Sequence, residues 1–358
     1  MFLFTELHAV HIEITSRCQA RCPMCARNYK GGISNPNLKI SDWTLNEFMM
    51  VFDHKTLLQL YSIYFCGNFG DPLLNDDLID MCKYAVSVNP KIQIRIHTNG
   101  SLRSTTWWKT LAKELPENHT VIFGIDGLED THHLYRIGTS YKQIIKNATS
   151  FINSGGNAEW VFIKFKHNEH QVHEAELIAK KLGFSSFSIK NSTRFLEPQH
   201  SVLDQDGNIE YYLEPPSNNE VILVNETMIK GFKKWVDDSN ISCYVQKLKE
   251  IYIDANKHMY PCCYIASAPY SYVDPNSLLS DIKSKINSQY FDLVNDLGGI
   301  DRLNVLKNSI QDIINSSTWQ TVWLKYWNDT KLITCAKSCG INKISKPQQQ
   351  VIKKIDFD

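Results

Sequence analysis

Polar and apolar positions along the first half of the chain follow two alternating rhythms. Val10-His11-Ile12-Glu13-Ile14 switches with period two, as a half-buried strand does. Ser41 is placed to cap a helix that runs from Leu45 to Val51. Strand patterns recur at residues 61–65, 92–96, 121–123, 160–165 and 187–189, and helical patterns at 76–86, 105–114, 141–152 and 173–182 fill the intervals. Strands spaced by helices of this length predict βα units with a parallel sheet. Six units in under 200 residues predict an α/β fold of the partial (β/α)6 TIM type over residues 1–195, with its functional groups in the loops at the C-terminal strand ends.

The rhythm breaks after Arg194. Residues 196–239 hold Pro198, Pro215 and Pro216 among polar residues and read as a linker. In the segment 240–345, Ile251-Tyr252-Ile253-Asp254 turns through Ala255-Asn256-Lys257 into His258-Met259-Tyr260, a small hairpin. Residues 271–330 are mostly helical in pattern, and 346–358 form a polar tail expected to be mobile.

Composition adds limits to this picture. The 358 residues carry 38 basic and 38 acidic side chains, so there is no overall charge to attract nucleic acid or anionic lipid. No stretch approaches the roughly 18 continuous apolar residues of a membrane-crossing helix. The N-terminal MFLFTELHAVHIEIT lacks the basic start and cleavage site of a signal peptide, so a cytoplasmic protein is expected. In that compartment ten Cys are reduced thiols, and clustered ones favour metal or redox roles.

Three of them, Cys18, Cys22 and Cys25, sit in CQARCPMC just after the first strand. Three thiolates from one short loop can hold three irons of a [4Fe–4S] cube. A zinc site wants a fourth ligand, for which His11 is a poor candidate, and a disulfide leaves one Cys over.

The loop resembles the signature of radical S-adenosylmethionine (SAM) enzymes, in which SAM chelates the iron that lacks a protein ligand. The flanking ITSRC and CPMCARN strengthen the likeness, and Met24 falls at the family's bulky apolar position beside the adenine. Further matches fall at other strand ends. GNFGDPLLN, with Gly67, Asn68, Gly70 and Asp71, is similar to the family's Gly-Gly-Glu-Pro segment that meets the SAM amino group. The two glycines would let the backbone approach a ligand closely. HTNGS, which contains Asn99, follows the third strand. Gly124-Ile125-Asp126-Gly127 resembles Ser-Ile-Asp-Gly, but Gly124 replaces the Ser and so offers no side chain to the ribose. Arg136 matches an Arg that often pairs with the SAM carboxylate. HNEHQ also resembles the family, with His167 and His170 expected to be structural. The resemblance implies reductive cleavage of SAM and abstraction of a substrate hydrogen atom, with cofactor and cluster supplying the chemistry and the protein orientation and a dry cavity.

Outside the barrel, IYIDANKHMYPCCY resembles the hairpin of the SPASM and twitch extensions of that family, with Lys257 where a Gly is expected. By that register Cys262 is a ligand, joined by Cys243 and by the Cys335–Cys339 pair. Four ligands suffice for one auxiliary [4Fe–4S] cluster, the shorter twitch type; a structural zinc on the same thiols is the alternative. Cys263 is left spare, as an idle buried thiol, a substitute for Cys262 or a hydrogen donor to a substrate radical. Cys66 and Cys82 read as core, and Trp319, Trp323 and Trp327 as a helical packing stripe. Residues 271–308 look like an insertion near the substrate pocket.

These readings imply an oxidoreductase-type enzyme fed by an electron donor such as flavodoxin or ferredoxin. The expected reaction is oxidation, crosslinking or epimerisation of a peptide. A chain that starts at the first strand has no leader-recognition segment, which counts against a peptide. Oxidation of a sugar or cyclitol is the alternative, and a non-catalytic iron–sulfur or zinc protein the alternative of another class.

Overall fold

The computed structural model describes residues 1–192, 194–195, 198–217, 231–270, 280–341 and 351–357. Parts of the expected linker, insertion and tail, namely 196–197, 218–230, 271–279, 342–350 and 358, lie outside the described residues.

The period-two segments form six parallel strands: β1 (Ala9–Ile12), β2 (Ser62–Phe65), β3 (Gln93–Thr98), β4 (His119–Gly124), β5 (Ala158–Lys164) and β6 (Ser186–Asn191). They pair in that order within one mixed sheet, consistent with a partial TIM barrel. Alternation decides the faces. Val10, Ile12, Ile63, Phe65, Ile94 and Ile96 are fully buried in the hydrophobic core on one face. His11, Tyr64, Arg95 and His97 share the other face, where the tilted rings and the guanidinium pack on one another and Tyr64 bonds His97 across strands.

Helices Thr105–Glu114 and Tyr141–Ile152 have the expected bounds. Their caps explain this: the hydroxyls of Ser104 and Ser140 accept from the backbone N–H of Trp107 and Gln143. At Leu45–Val51 the cap is Thr44 rather than Ser41. Thr44 and Glu47 bond each other's backbone N–H in a capping box, a signal that Thr-x-x-Glu carried. Ser41 instead donates to the Ala255 carbonyl at 2.8 Å.

The rest of the chain departs further from expectation. The first half of the supposed linker is a hairpin of β7 (His200–Leu203) and β8 (Ile209–Leu213), turned by Asp204 to Asn208 around Gly207 at φ +89°. Asp-Gly between strand-forming residues was the missed signal. After β9 (Asn240–Ile241) come β10 (Glu250–Ile253) and β11 (Met259–Tyr260), the anticipated hairpin. β10 also pairs in parallel with β1, so this hairpin extends the barrel sheet rather than standing apart from it. β12 (Gly340–Ile341) pairs with β9.

The tail expected to be mobile contains β13 (Val351–Asp356), which runs antiparallel to β6 and closes that edge of the sheet. Unpaired edge groups on β6 and the Lys354–Glu159 pair at 3.0 Å account for its order. Among the described residues no helix is long and apolar enough to cross a membrane.

Candidate active site

The loop after β1 carries Cys18, Cys22 and Cys25 at the C-terminal rim of the strands, and backbone and arginine contacts fix its course. The Cys25 N–H donates to the Cys22 carbonyl at 2.9 Å. Arg17 reaches the Leu74 carbonyl at 2.8 Å, Arg21 the Gly31 carbonyl at 2.8 Å, and Arg27 the carbonyl of Ser16. The β7–β8 hairpin packs over the loop: Leu203 N–H donates to the Lys30 carbonyl at 2.9 Å, and Val202 and Leu213 share an apolar cluster with Cys22 and Met24. Met24 points to the far rim, where its sulfur accepts from Ser192 Oγ at 3.3 Å and its carbonyl from Arg194 at 2.5 Å.

The loop after β2 sits against this one. Asn68 bridges regions: its carbonyl accepts from Cys25 Sγ at 3.9 Å and its amide donates to the Cys263 carbonyl at 2.8 Å. The two glycines do approach something closely, but on the side where a Cβ would stand it is protein. A Cβ on Gly70 would overlap the Thr15 carbonyl, and one on Gly67 would overlap the Gly70 carbonyl. Glu13 accepts from the N–H groups of Phe69 and Gly70 at 2.9 and 2.7 Å, and from Tyr252 Oη at 2.6 Å. Burial nevertheless pushes its carboxyl up to about 7.

Asp71, expected to meet a ligand, is buried with its carboxylate engaged inside the protein. It accepts from Thr98 Oγ1 at 2.8 Å, Leu73 N at 3.0 Å, Asn99 N at 2.8 Å and Asn99 Nδ2 at 2.6 Å. Its evident work is to orient Asn99, whose Nδ2 lies 4.0 Å from Cys18 Sγ.

Arg136 donates from Nε to buried Asp126 at 2.5 Å, and its charge lies beside Cys22. Burial drives the Cys22 thiol up to about 11, against the guanidinium, which favours the thiolate. Burial also raises Cys18, with Asp71 adding to the effect. Buried sulfurs with little compensating charge keep their protons unless a cation replaces them. Together with Cys25 they put three soft sulfur donors on one loop, a set that suits an iron–sulfur cluster.

Sequence reasoning missed the lumen side chains below this rim. His11, Tyr64, His97, Arg95 and Lys190 make a polar interior; Tyr64 Oη and His97 Nδ1 are 2.9 Å apart, and burial depresses His11 to about 4. In the first three strand patterns every second residue is polar, and that is the available signal. Cys66 belongs to this interior, facing Tyr64, and is pushed up to about 11 by burial. Cys82 is core, as expected.

Residues 12–176 match the family described as the radical SAM superfamily. Over these residues the chain is a radical SAM enzyme. Its chemistry therefore draws on a [4Fe–4S] cluster and SAM. The structure resembles Streptococcus suis SuiB bound to S-adenosylmethionine at 14% identity, covering 87% of this chain and 77% of that one, with a TM-score of 0.50. BtrN in complex with AdoMet and 2-DOIA aligns at 12% identity over 97% of this chain and 98% of that one, with a TM-score of 0.45. Such identities bear on the fold alone. No curated protein matches the chain.

The radical SAM enzyme gathers a second set of thiols beyond the barrel. Cys243, Cys262, Cys335 and Cys339 line one enclosed pocket with Tyr244, Tyr264 and Trp327. The β9–β12 pairing brings Ser242 N–H to the Cys339 carbonyl at 2.9 Å. Gly340 permits the turn into β12, since a Cβ there would overlap the Ala336 carbonyl. Cys243 donates to the Cys339 sulfur, which raises the first thiol and lowers the second. Burial pushes Cys262 up to about 12, while the N–H groups of Tyr264 and Ile265 oppose this by pointing at its sulfur.

Cys263 is placed differently. It does not line the pocket and instead lies within electrostatic reach of Cys66 and Glu250. Among the described residues no three Cys, His, Asp or Glu converge as ligands of a single metal ion do. His167 stacks on Phe165 with ring centroids 5.3 Å apart, in keeping with a structural role.

Proposed function

We propose that this radical SAM enzyme holds its SAM-binding cluster on Cys18, Cys22 and Cys25. SAM would lie among Met24, Asn68, Asn99 and Arg136, and one auxiliary [4Fe–4S] cluster, of the twitch type, on Cys243, Cys262, Cys335 and Cys339. When bound, the reduced cluster and SAM supply a 5′-deoxyadenosyl radical that takes a hydrogen atom from substrate. The protein's own share is placement. Arg136, held by Asp126 beside Cys22, offers its remaining N–H groups to a carboxylate. Asn99, held by Asp71, presents an amide at Cys18. The β7–β8 hairpin and the apolar cluster around Met24 exclude water from the loop.

The observation that carries this reading is the convergence of Cys22, Arg136 and Asp126 at one rim of the sheet. Gathering of four separated Cys around one pocket supports the auxiliary cluster. Flavodoxin or ferredoxin would deliver the electron.

A peptide is the preferred substrate, to be oxidised, crosslinked or epimerised; SuiB is also known bound to its precursor peptide SuiA. The polar lumen around Tyr64, His97 and Lys190 favours, as a second reading, a small hydroxyl-rich molecule such as a sugar or cyclitol. Anaerobic reduction with SAM tests the chemistry: 5′-deoxyadenosine is expected, and its absence overturns the enzymatic reading. Mass spectrometry of candidate peptides and sugars after turnover in heavy water separates the two substrates.

A further inference from the structure

Trp319, Trp323 and Trp327 share a spacing that an uninterrupted α-helix would keep on one face, but the helix changes character between them. Ser317–Leu324 is α-helical, whereas Lys325–Asp329 is a π-turn in which the Thr330 N–H donates to the Lys325 carbonyl at 3.0 Å. The wider turn advances each residue by a smaller angle, and such turns recur at functional sites; the Trp327 ring still packs on Trp323, with centroids 6.0 Å apart. Trp319 and Trp323 are each 1% exposed, in the core. Trp327 packs beside them and also lines the four-thiol pocket.

Its indole Nε1 is buried with no hydrogen-bond partner in the protein, and its ring shares the lining of one pocket with Cys335. A buried donor left unpaired is costly, so its orientation asks for an acceptor. Trp319 and Trp323 also leave their indole N–H groups unpaired, but neither lines the pocket.

We propose that Trp327 donates its indole N–H to the Cys335 side of the auxiliary cluster and so raises that cluster's reduction potential. The inference rests on the auxiliary-cluster reading above. A hydrogen bond to a cluster sulfur stabilises the more negative, reduced state, and such bonds are among the levers that set cluster potentials. Trp327 is therefore a positioning and tuning residue of the protein, distinct from the four ligands.

The test uses the full chain carrying Cys18→Ala, Cys22→Ala and Cys25→Ala, so that only the auxiliary cluster is seen. Redox titration followed by electron paramagnetic resonance should show that Trp327→Phe lowers the reduced-to-oxidised ratio at fixed potential about tenfold, about 59 mV for one electron. Trp323→Phe should leave the ratio unchanged. No shift in Trp327→Phe, or an equal shift in Trp323→Phe, overturns the proposal. A measurement that needs no Trp variant stands beside it: with 15N-indole labelling, the reduced cluster should show a coupling to one indole nitrogen, and its absence overturns the proposal whatever the fate of the variants. Iron content separates the two levels of failure. A background protein without iron refutes the cluster and the inference together, whereas about four irons with an unshifted potential refutes the inference alone.

Discussion

The Arg136 guanidinium occupies the space that a side chain at position 124 would fill: a Cβ on Gly124 would stand 2.5 Å from Arg136 Nη2. The family pattern has Ser there, so what reads along the chain as a missing ribose partner is, in three dimensions, room for the arginine. Gly124→Ala should displace the guanidinium from buried Asp126. Disturbing a buried pair and overpacking its site predicts a loss of about 1–3 kcal/mol in stability. SAM affinity should fall at least about tenfold, since one charge-assisted bond is worth about 1.5–3 kcal/mol. Thermal denaturation and equilibrium dialysis against SAM read the two effects. Unaltered SAM binding would remove Arg136 from the SAM site.

Legibility in the sequence followed the range of the forces involved. The six βα units were readable because strand alternation and Ser caps at Ser104 and Ser140 are local. The three-Cys loop was readable because its ligands lie within eight residues of sequence. The β1–β10 pairing and the ordering of β13 on β6 depend on edges that become available only once the sheet exists, and no local pattern announces them. At the site, the sequence pointed to Asp71 and Arg136 but not to their partners. Asp71 turned out to be saturated by Thr98, Leu73 and Asn99, and Arg136 to be held by Asp126. The β7–β8 hairpin was hidden by the prolines around it.

Lys257 takes a left-handed backbone at φ +67°, at the position where the related hairpins carry Gly. Its ammonium offsets the strain through Ser41 Oγ at 3.3 Å, the Asp42 carbonyl at 2.9 Å and Glu47 at 3.5 Å. The two contributions are separable. Lys257→Ala removes the ammonium and keeps the strain; Lys257→Gly removes both. Lys257→Gly should therefore be the more stable variant, by about 1 kcal/mol. Urea denaturation of both variants decides this, and equal stability would mean that the turn relaxes without cost.

Glu13 gives a pH dependence with a definite sign. Its carboxyl is raised from 4.5 to about 7 by burial, so between those values the folded protein binds a proton that the unfolded chain does not. Stability contributed by the neutral form is fully present below pH 4.5 and is lost as pH rises through about 7. Gln in this position keeps an oxygen for Phe69 and Gly70 but does not titrate. The stability of Glu13→Gln relative to the parent should therefore rise between pH 5 and 7, by up to roughly 3 kcal/mol. Denaturant titrations of both proteins across that range measure the difference directly. A difference independent of pH would show that Glu13 is ionised throughout, stabilised by its three donors. Glu250, also raised to about 7, titrates alike in both proteins and cancels.

The adjacent thiols Cys262 and Cys263 should behave oppositely. The first faces the pocket shared with Cys243, Cys335 and Cys339, and the second sits within reach of Cys66 in the barrel interior. One residue of separation puts the two sulfurs on different sides of the chain, because Cys262 ends the extended approach at φ −152° and Cys263 begins the short helix Cys263–Ala266. With one cluster on each set of thiols, the reconstituted parent should hold about eight irons. Cys262→Ala removes a ligand and should leave about four, with the electron paramagnetic signal of the SAM-binding cluster intact. Cys263→Ala should retain about eight, because its thiol leaves the pocket's donor set complete. If Cys263→Ala loses the irons and Cys262→Ala keeps them, the two thiols have exchanged roles. A change confined to substrate turnover in Cys263→Ala, with iron unaltered, would place Cys263 at the substrate as a hydrogen donor.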